Sequence, residues 1–317
     1  MVGIIMFFAA LIMLLFGFPV AFTFAAVSVL FGIIAGIVEI GFEDGIDIGL
    51  IDGFEEGLLM FDFMPFRIMS IMQNTILMAV PMFIFMGIVL QKTGLAERLL
   101  ESMGFLFGEI RGGVAISTVL VGALLAASTG VVGASVVAMG VISLPVMMKY
   151  KYNVPLACGT ICASGTLGQI IPPSIVLIIL GDVFQVPVGD LFKAAIGPGL
   201  ALVGAYILYI VIVSFFSKDM APAIPSDPSR GSKAKQVVRA LIDIIPSLTL
   251  ILLVLGSIFA GIATPTESSA VGCLGAVGLA FVYKSFSLGM IKEAALESVK
   301  ITSMVFGILI GATAFSM

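Results

Sequence analysis

The stretch Gly165-Thr166-Leu167-Gly168-Gln169-Ile170-Ile171-Pro172-Pro173-Ser174 decides the fold, because it interrupts an apolar run too long for one straight membrane helix. Pro172 and Pro173 remove two backbone donors, and the glycines loosen the turns before them. Hydrocarbon supplies no water to the groups freed by such a break, so each unpaired amide or carbonyl costs several kcal/mol. The break therefore needs protein, a cavity or a bound ion around it. Broken helices at membrane depth are typical of secondary transporters.

The composition is that of a membrane protein: 60% of the residues are hydrophobic, 11% are charged, and the mean hydropathy is +1.25. Apolar runs recur along the whole chain, which predicts an all-α polytopic membrane protein. Histidine is absent, which excludes a His-based proton relay, a His-ligated metal site and a Ser-His nucleophile. Cys158, Cys162 and Cys273 lack metal-ligand spacing and are interpreted as packing residues. We therefore expect no enzyme, no catalytic residue, no cofactor and no nucleic-acid partner.

The distribution of charge predicts the topology. Eight acidic residues and no basic one lie between Glu39 and Asp62. With a cytoplasmic N-terminus, every one of the fifteen Lys and Arg residues except Arg67 and Lys193 falls on the cytoplasmic side, as the positive-inside rule requires. The 39–62 loop is then periplasmic, and we find no signal peptide at the N-terminus. The predicted crossings are 3–38 (one kinked helix, or an interfacial piece and a span), 74–91, 155–187, 191–217, 237–261, 265–283 and 299–317.

Residues 112–148 begin and end near basic residues on the same predicted side. Their two arms, 112–127 and 135–148, are shorter than the roughly 20 residues of a full crossing. A re-entrant hairpin fits this pattern better than two short tilted helices, which remain the alternative. Three further segments are amphipathic and are expected at the membrane interface, as arms or as plain connectors: 57–73, 94–111 and 284–298.

The chain is predicted to consist of two repeats joined by a linker. The first repeat covers 1–217, with the hairpin (112–148) and the broken helix (155–187); the linker, 218–236, is cytoplasmic and rich in Pro, Gly and Ser; and 237–317 starts a second repeat. Segments 17–22 and 264–269 are weakly similar, as are 85–89 and 309–313, and each pair runs in opposite directions, as in inverted repeats. No second hairpin follows, so we expect an incomplete second repeat, truncated or continued by another polypeptide.

Three segments, 126–135, 165–174 and 261–270, resemble the large membrane subunit of the TRAP (tripartite ATP-independent periplasmic) transporters, the DctM family. The resemblance runs from residue 1 to 317 in matching order. It implies an inverted-repeat, elevator-type, sodium-coupled symporter of the bacterial inner membrane that imports dicarboxylates or related organic acids. It also implies two protein partners, a small membrane subunit and a periplasmic substrate-binding protein, within the lipid bilayer.

The resemblance places one sodium site between the hairpin tip and the break, because sodium takes hydroxyl and carbonyl oxygens as ligands. The candidate ligands are Ser128, Thr129, Gly130, Gly133, Ser135, Gly165, Thr166, Gly168 and Gln169. The alternative is that these small residues only permit close helix packing.

For the substrate, Pro172, Pro173 and Ser174 open a half-helix whose free amides can face a carboxylate. Ser174 either binds that carboxylate or caps its own helix. Glu267 either closes a capping box that begins at Thr264 or lies on an ion path. A channel and a non-transporting scaffold subunit remain as rival functions.

Overall fold

The computed structural model describes residues 2–43, 50–59, 61–129, 132–217, 219–224 and 233–317. Every regular element in these ranges is helical, which confirms the predicted all-α class. The helices are α1 Val2–Leu15, α2 Val20–Glu43, α3 Leu50–Leu59, α4 Met64–Gln73, α5 Ala79–Lys92, α6 Leu95–Phe107, α7 Gly113–Thr129, α8 Val132–Lys149, α9 Val154–Thr166, α10 Ile175–Val183, α11 Val188–Phe216, α12 Lys233–Phe259, α13 Pro265–Val282 and α14 Leu288–Phe315, with a 3₁₀ turn, Leu167–Gln169, between α9 and α10.

Five helical segments of the described part are long and apolar enough to cross a bilayer, which requires about 20 residues. They are 20–38, 188–216, 240–259, 265–282 and 288–315. A sixth is formed if α5 and the 97–104 part of α6, which meet at a bend of 58°, make one span. The chain is therefore a polytopic membrane protein, as its composition predicts.

Residues 1–74 and 299–317 form one compact unit. Its central feature is a pair of Gly-xxx-Gly motifs, Gly32 and Gly36 on α2 and Gly53 and Gly57 on α3. A Cβ atom at Gly36 would lie 2.5 Å from the Gly53 carbonyl oxygen and 2.6 Å from the Gly57 amide nitrogen, so only glycine fits there. Backbones that approach this closely gain van der Waals contact without a hydrophobic driving force, which suits helices in lipid.

Residues 75–298 form the second compact unit, with α7 at its centre. Helix α7 packs against α5, α6, α8, α9 and α11, and its residues Val114, Ala115 and Val121 are fully buried. Helix α5 packs along α13, where the Thr266 hydroxyl donates to the Thr75 carbonyl over 2.8 Å. Both hairpin arms and both halves of the broken helix therefore belong to one packed body.

The N-terminal region contains two helices rather than one kinked helix. Helix α1 ends at Leu15, Gly17 has a left-handed φ of +84°, and Pro19 directly precedes α2. A left-handed residue followed by a proline cannot continue a helix, so the chain turns here. Of the two sequence-based alternatives for 3–38, the separate piece followed by a span is the one observed.

The expectation of a separate amphipathic segment at 284–298 is wrong in part. Helix α14 runs without interruption from Leu288 to Phe315. No proline lies in this range, and the charges of its first half do not break the backbone hydrogen bonds. The charge pattern therefore does not mark where the helix begins or ends.

The start of the predicted linker, 219–224, is fixed to the hairpin. The Gly112 amide donates to the Ala221 carbonyl over 3.0 Å, and the Ile224 amide donates to the Gly108 carbonyl over 2.7 Å. Ala221 is fully buried, and the Asn153 amide donates to the Met220 carbonyl. Residues 219–224 thus bridge the start of α7 and the turn before α9, while 225–232 lie outside the described residues.

Tyr152 lies in the same α8–α9 turn, outside the candidate spans. Its side chain is 3% exposed, and its phenol oxygen accepts a hydrogen bond from the Val114 amide over 3.3 Å. Burial disfavours the charged phenolate and raises the pKa of Tyr152 to about 12, although the hydrogen bonds from Val114 and Ala115 act in the opposite direction.

Candidate functional site

The predicted interruption is present: α9 ends at Thr166, one 3₁₀ turn follows, and α10 begins at Ile175. The Leu167 carbonyl accepts from the amides of Ile170 (3.0 Å) and Ile171 (2.9 Å). Local bonds therefore satisfy part of the backbone that the break would otherwise leave unpaired. The Pro172–Pro173 peptide bond is cis.

Ser174 closes the break on the α10 side. It is fully buried, its hydroxyl donates to the Gln169 carbonyl over 2.7 Å, and it accepts from the Leu177 amide over 3.4 Å. Of the two roles considered for this residue, the structure shows the capping role. A substrate carboxylate could bind the hydroxyl proton only by displacing the Gln169 carbonyl.

The C-terminal end of α9 is wedged between the two hairpin helices. A Cβ atom at Gly122 of α7 would lie 2.6 Å from the Ser164 Cβ atom, and one at Gly165 would lie 3.0 Å from both Cα and N of Val136 on α8. Ser164 itself is fully buried and donates to the Ile161 carbonyl. Two glycines thus bring three backbones together where the helix breaks.

The break and the hairpin helices are adjacent, as the sodium hypothesis requires. The Leu167–Gln169 turn, which contains Gly168, lies against α7 and α8. Gly165 contacts Val136, the residue after Ser135, and the Ser135 side chain is 2% exposed. The candidate residues of the break and the start of α8 therefore occupy one region of the second unit.

The other candidate ligands differ in their surroundings. Thr166 has an exposed side chain whose hydroxyl donates to the Ala163 carbonyl over 2.8 Å, which leaves its lone pairs able to accept or coordinate. Gln169 is half-buried, and Gly133 is exposed with open space around it. The side chains of Ser128 and Thr129 and the whole of Gly130 lie outside the described residues, so the hairpin tip stays a prediction.

The atoms of this region that could coordinate a cation are neutral oxygen atoms. In the described part of the chain there is no group of three or more Cys, Asp and Glu side chains that could hold a metal ion. A monovalent hard cation needs only carbonyl and hydroxyl oxygens. Ser135, Thr166 and the backbone of the break supply this type of ligand.

A cavity of about 450 Å³ lies beside the break and is lined in part by α7. Its lining is apolar throughout: Met103, Leu120, Ala123, Leu124, Ile171, Pro172, Ile196, Leu200, Val203, Ile244, Leu248, Ile251, Leu252 and Leu255. A carboxylate finds no hydrogen-bond donor side chain here. An anion site that involves Pro172 and Pro173 must therefore use nearby backbone amides, or lie on the side of the break that faces away from this cavity.

The capping box at the start of α13 is confirmed. The Thr264 hydroxyl accepts from the Glu267 amide over 3.3 Å, and a Glu267 carboxylate oxygen accepts from the Thr264 amide over 2.8 Å. The same carboxylate oxygen accepts from the Thr264 hydroxyl. This arrangement accounts for Glu267 without an ion path.

One charged residue in a span escaped the sequence analysis. Asp243 lies three residues inside the apolar segment 240–259 of α12 and accepts a hydrogen bond from Ser102 of α6. Ionisable residues inside a span are costly and usually functional. An aspartate within an apolar run could therefore have identified Asp243 as a candidate from the sequence. Its partner could not be found by sequence, because 141 positions separate the two residues.

Comparison with known proteins identifies the family. The model for the DctM component of the tripartite ATP-independent periplasmic transporters matches residues 5–317. The C4-dicarboxylate TRAP transporter large permease protein DctM of Pseudomonas aeruginosa is 35% identical over 243 residues, 76% of this chain and 55% of the relative. The ectoine TRAP transporter large permease protein TeaC of Halomonas elongata is 33% identical over 253 residues, 79% of this chain and 57% of the relative.

A third relative is matched along almost the whole chain. The sialic acid TRAP transporter large permease protein SiaM of Vibrio cholerae is 29% identical over 316 residues, 99% of this chain and 67% of the relative. The chain spans little more than half the length of the first two relatives. All three are named as transporter permeases, which places the family among transport proteins rather than enzymes. The chain belongs to the family of the DctM component of the tripartite ATP-independent periplasmic transporters.

Proposed function

We propose that this chain is the large transmembrane subunit of a sodium-coupled, ATP-independent importer of carboxylates or related organic acids. The observation that carries the proposal is the interrupted helix α9–α10, whose broken section lies against both hairpin helices. An interruption of this kind exposes backbone oxygens and amides inside a membrane protein, which is how secondary transporters build their ion and substrate sites.

Sodium is proposed to bind between the start of α8 and the break. Ser135, Thr166 and the backbone from Gly165 to Gln169 would supply the oxygens, and Ser128, Thr129, Gly130 and Gly133 would complete the site from the hairpin tip. Binding would draw the hairpin and the break together, because one cation would share ligands from both. Sodium binding would thus order the substrate site, and the sodium gradient would supply the energy for uptake.

The proposed substrate class follows from the names of the relatives. C4-dicarboxylates, ectoine and sialic acid all carry a carboxylate group. The half-helix α10 has its N-terminus next to the break, and a helix N-terminus favours a carboxylate through its dipole. Pro172, Pro173 and Ser174 would shape this end of the site, with Ser174 acting through its cap.

Two protein partners are proposed, a small membrane subunit and a periplasmic substrate-binding protein. The family description, tripartite and periplasmic, supports both. The positive-inside pattern supports a bacterial inner-membrane location with a cytoplasmic N-terminus and a periplasmic 39–62 loop. Transport is proposed to follow an elevator mechanism, in which the hairpin and the broken helix move as one body.

Uptake in proteoliposomes tests the function. The transporter that contains this chain is reconstituted with both partner proteins, and uptake of C4-dicarboxylates, sialic acid and ectoine is measured with and without an inward sodium gradient. We expect uptake of at least one carboxylate only with the gradient. Uptake that is indifferent to sodium would reject the coupling, and rapid ion flux without substrate would favour a channel.

A further inference from the structure

From the last residue of α5 to the eighth residue of α6, eleven consecutive residues make several polar contacts to distant parts of the second unit. The Lys92 ammonium nitrogen lies 3.2 Å from a carboxylate oxygen of Glu293 and 3.2 Å from one of Glu297. Ser102, at the other end of the segment, donates to Asp243 of α12. We call residues 92–102 the α5–α6 joint.

Two further contacts lie between these ends. The Ser285 hydroxyl donates to the Thr93 carbonyl over 3.1 Å, and the Arg98 guanidinium carbon lies 5.1 Å from the centre of the Tyr283 ring, within the range of a cation–π interaction. The joint is thus attached at four points to α12, to the α13–α14 turn and to α14.

The backbone of the joint is shaped for a change of direction. Gly94 has a left-handed φ of +70°, and the helix axes on either side are bent by 58°. A Cβ atom at Gly94 would meet no atom within 4 Å. Glycine is therefore required there by conformation and not by packing.

The two sides of the joint both contact α7, but each has a second packing partner of its own, α13 for α5 and α12 for α6. Helix α5 packs along α13. Helix α6 packs on α7, where Leu99 is fully buried and the Ser117 hydroxyl donates to the Met103 carbonyl over 2.8 Å. Because α7 is the first hairpin arm and contacts both helices, a change of angle at the joint alters how α7 lies against α5.

The ion pairs of Lys92 that help to hold this angle are of a kind that water can replace. The side chains of Lys92, Glu293 and Glu297 are 24%, 69% and 50% exposed, and exposed ion pairs contribute little to stability. The contacts between α6 and α7, by contrast, are buried, including the hydrogen bond from Ser117 to the Met103 carbonyl. The weak points of the arrangement are therefore the polar attachments of the joint.

We propose that the α5–α6 joint is a latch, in which Lys92, Arg98 and Ser102 are positioning residues that hold the hairpin in one state of the transport cycle. The latch rests on the proposed transport function, since it controls a movement that transport requires. Its release exchanges the contacts of Lys92 to Glu293 and Glu297 for water, while α6 stays packed on α7.

The test combines two measurements on the complete transporter in lipid. Hydrogen–deuterium exchange of the α6 amides reports the latch directly and needs no transport. Sodium-driven uptake reports its effect on the cycle. The variants are Lys92→Glu, the charge swap that adds Glu293→Lys and Glu297→Lys to it, and Lys300→Glu as a control, since Lys300 is exposed and has no ion pair in the described part of the chain.

We expect Lys92→Glu to speed exchange in α6 about threefold or more and to change the maximal uptake rate, with the half-saturating substrate concentration little altered. The charge swap restores both values, and Lys300→Glu changes neither. Unchanged exchange in Lys92→Glu, or no recovery in the charge swap, overturns the latch. Faster exchange with unchanged uptake overturns its role in transport.

Should the charge swap fail to insert, Glu293→Gln with Glu297→Gln removes both partners without adding charge. It must reproduce the effect of Lys92→Glu for the latch to stand. Absence of sodium-driven uptake in the unmodified transporter would reject the proposed function instead, and the exchange measurement would still decide whether the joint is held by these ion pairs.

Discussion

Gly165 of α9 faces Val136 of α8 so closely that a Cβ atom at Gly165 would lie 3.0 Å from both the Cα and the amide nitrogen of Val136. The Cγ2 atom of Val136 would lie closer still, and the two backbone atoms behind it cannot turn away as a side chain can. This approach joins the broken helix to the second hairpin arm next to Ser135, at the place where the sodium site is proposed.

Gly165→Ala is expected to push α9 and α8 apart. Overpacking of a close contact typically costs about 1–3 kcal/mol, and the separation would also widen the proposed site. We expect a lower unfolding temperature and a higher sodium concentration for half-maximal uptake. Gly159→Ala is the matched control, because Gly159 lies on the same helix with no atom within 4 Å of its Cβ position. If the two variants had the same unfolding temperature and the same sodium dependence, α9 and α8 would not be in close contact at Gly165 in the membrane.

Thr166→Ala and Ser135→Ala are expected to raise the sodium concentration needed for half-maximal uptake, since each removes one oxygen from the proposed cation site. The maximal rate at saturating sodium should change less. Ser298→Ala serves as a control, because that hydroxyl also bonds to a carbonyl of its own helix, Ala294, over 2.7 Å. Sodium dependence identical to that of the unmodified transporter would remove these hydroxyls from the site.

Ser174→Ala is expected to destabilise the start of α10. Loss of an N-cap costs about 1 kcal/mol, and the Gln169 carbonyl would lose its donor at a further cost of about 1–3 kcal/mol. Ser174→Gly should lose less, because glycine is itself a favourable N-cap residue, although the Gln169 carbonyl lacks its donor in both variants. Thermal unfolding measures the effect. If uptake affinity fell while unfolding stayed unchanged, direct binding of substrate would explain Ser174 better than capping.

The raised pKa of Tyr152 leads us to expect a loss of folding stability at alkaline pH. Its folded pKa of about 12 lies above the ordinary value near 10, so the folded state holds the proton more tightly than the unfolded state. The contribution is complete below about pH 10 and is lost as the pH rises towards 12. We expect the unfolding temperature to fall between these values.

The alkaline effect should be weaker in Tyr152→Phe, which has no phenol proton to lose. Tyr209→Phe is the control, because Tyr209 is 60% exposed. An alkaline decline of the same size in Tyr152→Phe and in the unmodified protein would show that other groups cause it.

Several elements could be predicted from the sequence because their causes are local. Paired prolines remove backbone donors wherever they occur, so the interruption before α10 was visible in the residues alone. The capping box of Thr264 and Glu267 depends on two residues three positions apart. The five long apolar helices follow from composition and length. The extent of α14 was misjudged, since its charges affect the environment of a helix more than its continuity.

The sequence alone determined that this is a polytopic helical membrane protein with a broken helix, because hydropathy, proline and capping chemistry act over a few neighbouring residues. Only the tertiary structure decided which surfaces meet. Gly165 with Val136, residues 219–224 with the start of α7, and Lys92 with Glu293 and Glu297 are contacts between segments far apart in the chain. Such pairings depend on how whole helices pack, and no local pattern of residues specifies them.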